Sequence, residues 1–256
     1  MHSTLCKRIK LSSKWSTDLV CLIIFLASIA VRLFKLTMEP LLLRDGAFYL
    51  RLAEAWNKTG DYVELTQELT IVPPLPLWCI KTLMNFCGSA EIAGRSLSIF
   101  LGGLIPVIGF IMAKEIANNS RISLIAALCF IFHPHLVSYS IQPMRENYYI
   151  LLIGLLLITM VWNYRNTRMT RWFVCGVIIG TAFFCRYEAL EFLVIVLTEI
   201  AFLKLKKNSI LPFFASVGIV LLAFSLTSLF LLTTCTDGDY SFVYRINKYS
   251  NNILAE

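Results

Sequence analysis

The chain has no CxxC pair and no His/Cys spacing of the kind that holds zinc, although it carries eight cysteines and three histidines. A zinc module is therefore excluded. The HPH triplet at 133–135 does not rescue one, because Pro134 keeps the two histidines off a common helix face. Cys21, Cys79, Cys87, Cys129, Cys175 and Cys185 lie in apolar blocks, where a thiol behaves as a small hydrophobe. No disulfide framework is expected. A small-residue cleavage motif is missing after the first apolar block, so that block reads as an anchor rather than a removable leader. Internal repeats are lacking too, which argues against a transporter built from repeated halves.

What is present is apolar mass. The 256 residues are 57% hydrophobic, with a mean hydropathy of +0.71. The apolar residues come in blocks of about 20 separated by short charged stretches, the pattern of a polytopic helical membrane protein. Seven blocks are clear: roughly 18–38, 91–113, 121–139, 147–163, 171–186, 188–203 and 209–233. An eighth, IVPPLPLWCIKTLMNFC at 71–87, holds three prolines and Lys81. It is either a span or an amphipathic helix lying on the membrane surface.

Charge distribution chooses between them. The formal net charge is +7, with 23 Lys+Arg against 16 Asp+Glu. The positive residues fall between apolar blocks, which points to the cytoplasmic flanks of spans rather than to nucleic acid. Lys7, Arg8, Lys10 and Lys14 precede the first block and place the N-terminus inside. If 71–87 stays on the surface, the inner loops hold Lys114 and Arg121, then Arg165, Arg168 and Arg171, then Lys204, Lys206 and Lys207. If it crosses, all three basic loops turn outward. The expectation is an all-α protein of about seven transmembrane helices, its first outer loop at 39–90 carrying surface helices and its tail at 234–256 also outside.

Acids then gather at the outer face: Asp45, Glu54, Asp61, Glu64, Glu68, Glu146 and Glu188. DGAFYLRLAEAW reads as a short amphipathic helix with Asp45 near its start. An acid there is either a helix-terminal charge or a general base near an acceptor hydroxyl. QPMRENYYILL places Arg145 beside Glu146 at one outer span end, and FFCRYEALEFL places Arg186 near Glu188 at another. Arg32 and Lys35, in the outer third of the first span, either snorkel toward headgroups or face the bundle to hold an anionic group. Glu199, toward the inner end of the sixth span, reads as paired or snorkelling. Asn57-Lys58-Thr59 fits the N-glycosylation acceptor pattern, which matters in a eukaryotic host.

The inward N-terminus, a first span ending in RLFKL, RDGAFYLRLAEAW, GDY at 60–62, PPLPLW at 73–78, AGRSLSIFLGGLIPVIGFIMAKEI at 93–116 and RYEAL at 186–190 occur in one order. In that order they resemble the GT-C superfamily of polyprenyl-phosphate-sugar glycosyltransferases. The branch that looks most similar is that of protein O-mannosyltransferases and the lipid A aminoarabinose transferase. The resemblance covers nearly the whole chain.

It implies a single seven-span module over 1–256 that transfers a sugar from a polyprenyl phosphate to an acceptor hydroxyl at the outer membrane face. Asp45 matches the family's catalytic acid and would be the general base of an inverting displacement. Arg32, Arg95, Arg145 and Arg186 become candidates for the donor phosphate. Glu146 becomes a candidate second acid, orienting the acceptor or holding a divalent cation, the one cofactor the resemblance leaves room for. The acceptor is a protein, lipid or glycan. Two departures stand out: Gly46 follows Asp45 where some relatives carry a second acid, and Val72 precedes the paired prolines where the aminoarabinose branch has lysine. Relatives continue with further spans and often an outer domain, which are expected to be absent here. Short outer loops favour a bacterial inner membrane over the endoplasmic reticulum. A non-catalytic lipid-binding or partner subunit on the same scaffold remains the alternative, and a transporter or flippase a more distant one.

Overall fold

The computed structural model describes residues 2–60, 72–165, 168–205 and 210–235. Among them every regular element is helical. In chain order these are α1 (His2–Met38), α2 (Arg44–Thr59), α3 (Pro74–Cys87), α4 (Ala90–Ala117), α5 (Ser120–Phe132), α6 (Pro134–Ser140), α7 (Arg145–Arg165), α8 (Met169–Phe183), a 3₁₀ turn (Tyr187–Ala189), α9 (Leu190–Leu205) and α10 (Ile210–Cys235). Asp61, Glu64, Glu68, Lys206, Lys207 and the tail from 236 lie outside the described residues.

Among the described residues four helices are long and apolar enough to cross a bilayer: Thr17–Met38, Ala90–Ala117, Arg145–Arg165 and Leu211–Thr234. The protein is thus an all-α polytopic membrane protein. The block expected as one span over 121–139 is two helices, α5 and α6, bent by 57°. Pro134 explains the break: it cannot donate to the preceding turn, and it drives His133 out of the helical region, to φ −64°, ψ 116°. His133 then caps α6, its Nδ1 accepting from Leu136 N at 3.4 Å. Counting the bent pair as one span gives five. The other two expected spans, 171–186 and 188–203, fall on α8 and α9, helices of 15 and 16 residues. At about 1.5 Å per residue these are shorter than a bilayer core of roughly 30 Å. The ambiguous block at 71–87 contains α3, a 14-residue helix started by Pro74 and Pro76, whose missing N–H groups cost nothing in a first turn.

Helix α4 is the hub of the bundle, touching α1, α2, α3, α5, α6 and α7. Its glycines allow this. A Cβ on Gly103 would lie 2.6 Å from Ile29 Cδ1 of α1, and one on Gly94 would lie 2.7 Å from Leu50 of α2. Asn118, at φ 49°, closes α4, and Asn119 opens α5 by accepting from Arg121 N at 2.9 Å. Lys114 donates to Thr17 of α1 at 2.7 Å, and Glu115 pairs with Arg165 of α7 at 2.7 Å. These contacts gather one end of the bundle, the end the sequence reading assigned to the cytoplasm. The acids and arginines of interest lie at the opposite end.

Candidate functional site at the acidic end of the bundle

Asp45 sits in the first turn of α2 and is exposed to solvent. The helix behind it packs inward: Tyr49, Leu50, Ala53 and Trp56 join Leu77 and Ile80 of α3 and Ala93 of α4 in a common core. The amphipathic reading is right, but the apolar face meets protein. Tyr49, Leu50, Leu52, Ala53 and Trp56 are buried, whereas Phe48 and Ala55 are only half-buried.

A short turn joins α6 to α7 and fixes where α2 begins. Gln142, buried at 3% exposure, accepts from Leu43 N at 3.0 Å and donates to Leu41 O at 3.0 Å. Asn147 holds that turn, donating to Tyr139 O at 2.9 Å and to Gln142 O at 3.2 Å. Gly46 fits beneath it, because a Cβ there would stand 3.1 Å from Gln142 Oε1 and 3.1 Å from Pro143 Cδ.

Arg145 and Glu146 open α7 immediately after this turn. Glu146 Oε1 lies 3.5 Å from Arg145 Nε and 3.8 Å from an Arg186 Nη. The other Arg186 Nη donates to Glu188 at 2.8 Å. That bond raises Arg186 above the ordinary guanidinium value and holds Glu188 below the usual glutamate range. The Arg186 guanidinium also stacks 5.4 Å over the Tyr149 ring. Leu75 N of α3 donates to Phe184 O at 3.2 Å, so the strap carrying Arg186 is tied to α3.

Tyr49 stands one turn below Asp45 on α2, and Gly46 between them fits against Gln142 and Pro143, the residues just ahead of Arg145 and Glu146. Of the six residues expected at the site, Arg145, Glu146 and Arg186 form one ion-pair cluster, and Asp45 lies at the start of the helix tied to the turn ahead of it. Burial is the main influence on the phenol and pushes it up to about 12, so it keeps its proton.

Two expected residues lie elsewhere. Arg95 bonds to Glu91 at 2.8 Å and to Pro40 O at 2.5 Å, so it braces the segment ahead of α2. Arg32 neither snorkels nor reaches the cluster. It is 0% exposed, bonded to Ser28, and wedged against Gly102 at the crossing of α1, α4 and α6. Lys35 pairs with Glu39 on the surface. The carboxyl oxygen Oε2 of Glu199 is buried without a hydrogen bond, while the residue as a whole is half-buried. Among the described residues no three His, Cys, Asp or Glu side chains converge, and Glu146 is flanked by two guanidinium groups. This donor set does not fit a divalent cation.

Below Tyr149 lies an apolar cavity of about 230 Å³ between α4, α5 and α7. Ile105, Ile108, Phe130, Ile153 and Leu157 line it, and Tyr149 bridges it to Arg186. Charge at one end and hydrocarbon below it suit an amphiphile with an anionic head.

The family model described as dolichyl-phosphate-mannose-protein mannosyltransferase matches residues 72–232. No curated protein matches the chain.

Proposed function

The chain belongs to the dolichyl-phosphate-mannose-protein mannosyltransferase family, and from that premise we propose that it moves a mannose-like sugar from a polyprenyl-phosphate donor to an acceptor hydroxyl at the outer membrane surface. The arginine–glutamate cluster of Arg145, Glu146 and Arg186, joined through Tyr149 to the apolar cavity of α4, α5 and α7, is the observation that carries this reading. The prenyl chain occupies the cavity of α4, α5 and α7. Its phosphate rises to Arg145 and Arg186, whose planar forks suit phosphate oxygens. Asp45 takes the acceptor proton, and the freed oxygen attacks the anomeric carbon. The carbon–oxygen bond to phosphate breaks, and the electron pair leaves on polyprenyl phosphate. One displacement inverts the anomeric centre. Glu146 holds both arginines in register. The active face is periplasmic in a bacterial inner membrane, or lumenal in an endoplasmic reticulum membrane.

A general base contributes roughly 10²–10⁴-fold. Transfer from polyprenyl-phosphate mannose to a hydroxyl acceptor is therefore expected to drop at least 10²-fold in Asp45→Asn, with normal membrane insertion. Undiminished transfer removes Asp45 from the reaction.

One observation favours a second reading. Asp45 is exposed, whereas a general base benefits from shielding. A lipid-binding subunit without catalysis needs the arginines and the cavity but not the acid. Such a protein binds polyprenyl phosphate equally well with Asp45→Asn and shows no transfer in either form.

A further inference from the structure

We propose that Tyr49 is a substrate-facing residue, its hydroxyl donating a hydrogen bond to the phosphate of the polyprenyl donor between Arg145 and Arg186. This rests on the donor reading given above and adds a group to it.

Helix register comes first. Tyr49 stands four residues after Asp45, so the two share a face of α2 one turn apart. Asp45 is at the solvent end and Tyr49 is deeper. Burial comes second. The ring is 7% exposed, packed with Leu50, Ala53 and Trp56, and set edge-on to Phe48 at 6.2 Å between centroids. The side chain is thus fixed in direction. Its hydroxyl nonetheless makes no hydrogen bond to another described residue, and it is not sealed away in the core. A buried tyrosine normally finds a partner for its hydroxyl. Gly46, three residues before Tyr49, fits against Gln142 and Pro143, and Arg145 and Glu146 follow that turn, so the rigid ring delivers an unspent donor beside the charged start of α7.

Chemistry selects the ligand. The phenol keeps its proton at any working pH, so it can donate but cannot act as a base. The two arginines beside it attract an anion. A phosphate oxygen accepts from all three, and a hydrogen bond to an anionic oxygen is roughly twice as strong as a neutral one. An acceptor hydroxyl belongs instead near Asp45, the group that must receive its proton. As the bond from the anomeric carbon to phosphate breaks, negative charge grows on the phosphate oxygens. The tyrosine bond strengthens in step, so it favours the transition state over the ground state.

The test is Tyr49→Phe in the full chain, in nanodiscs, with polyprenyl-phosphate mannose as donor. The substitution deletes one oxygen and keeps the ring that packs the core. Removing one such donor costs about 10²-fold in kcat. We expect a loss of that order with KM changed by less than about threefold, and a changed ³¹P resonance for bound polyprenyl phosphate. An unchanged kcat overturns the proposal. So does a loss of activity with an unchanged ³¹P resonance, since a purely structural role would leave the phosphate environment alone. If the wild-type chain neither transfers sugar nor binds polyprenyl phosphate, the donor reading itself fails, and that result is distinct from an active wild type with an equally active Tyr49→Phe.

Discussion

Gln142 clasps the residue that opens α2: its Oε1 accepts from Leu43 N at 3.0 Å, ninety-nine positions away in sequence. The same amide donates to Leu41 O at 3.0 Å. One side chain thus satisfies a donor and an acceptor on the segment that carries Asp45 to the site. It leaves the chain three residues before Arg145. The acid and the arginine are positioned by a shared anchor.

Gln142→Ala breaks both bonds and strands two backbone groups in a partly buried place. Each orphan costs about 1–3 kcal/mol. Thermal unfolding in detergent should show a lowered midpoint. Sugar transfer should fall further than stability alone explains, because the start of α2, which carries Asp45, is no longer tied to the turn before Arg145. A variant with full activity and an unchanged midpoint would show that α2 is placed by its apolar face alone.

Gly102 sets how closely α4 approaches α6 and α1. A Cβ there would stand 2.2 Å from Ser140 Oγ, 2.4 Å from Ser140 Cβ and 2.8 Å from Arg32 Nε. No side-chain rotation relieves a contact with Ser140 Cβ. Gly102→Ala is expected to abolish a monodisperse peak in size-exclusion chromatography after membrane extraction. Gly218→Ala is the control, since nothing lies within 4 Å of a Cβ at that position. It should behave as wild type.

Much of the candidate cluster was legible because charge is scarce in this sequence. Asp45, Arg145, Glu146 and Arg186 stand at the ends of apolar blocks, where an ionisable group is noticed at once. Their helices were legible for the same reason. Sequence alone could not tell Arg95 and Arg32 from the arginines of the cluster. A guanidinium that braces Pro40 O and one that pairs with Glu146 carry the same charge at similar span ends. Tyr49, Gln142 and Asn147 were missed because their roles come from long-range packing. Neutral polar residues leave no mark in a hydropathy profile. The bend at Pro134 was hidden by unbroken apolarity across 121–139, although the proline itself was the available signal.

Alkaline pH should reveal the environment of Tyr49. Burial raises its folded value from 10 to about 12. A raised value means the folded state holds the proton more tightly than the unfolded chain does. The stabilisation is complete below about pH 10 and is lost as pH climbs through about 12. Two units correspond to about 3 kcal/mol at most. Wild type and Tyr49→Phe, melted in parallel from pH 8 to pH 12, should diverge above pH 10, with wild type losing more. Parallel curves would mean that the phenol is better solvated than its packing indicates. Glu188 acts at the other end of the scale. Its depressed value means that the pair with Arg186 stabilises the fold fully above the usual glutamate range, and that this contribution is lost progressively as pH falls from that range through the depressed value.

The cavity beneath Tyr149 offers a test of where the donor's chain lies. Ile150 lines it from α7, one residue after the tyrosine that stacks on Arg186. Ile150→Trp adds bulk to a space of about 230 Å³ without touching a charged group. If prenyl units occupy that space, the substitution removes apolar contact from ground state and transition state alike. KM then rises while kcat holds, the signature of lost uniform binding. The effect should grow with prenyl chain length, because a very short chain reaches the arginines without filling the cavity. Kinetics with donors of two and of ten or more isoprene units would separate the cases. A KM rise of about tenfold or more for the long donor alone places the tail between α4, α5 and α7. An equal effect on both donors moves the tail elsewhere, to a face of the bundle that Ile150 does not reach.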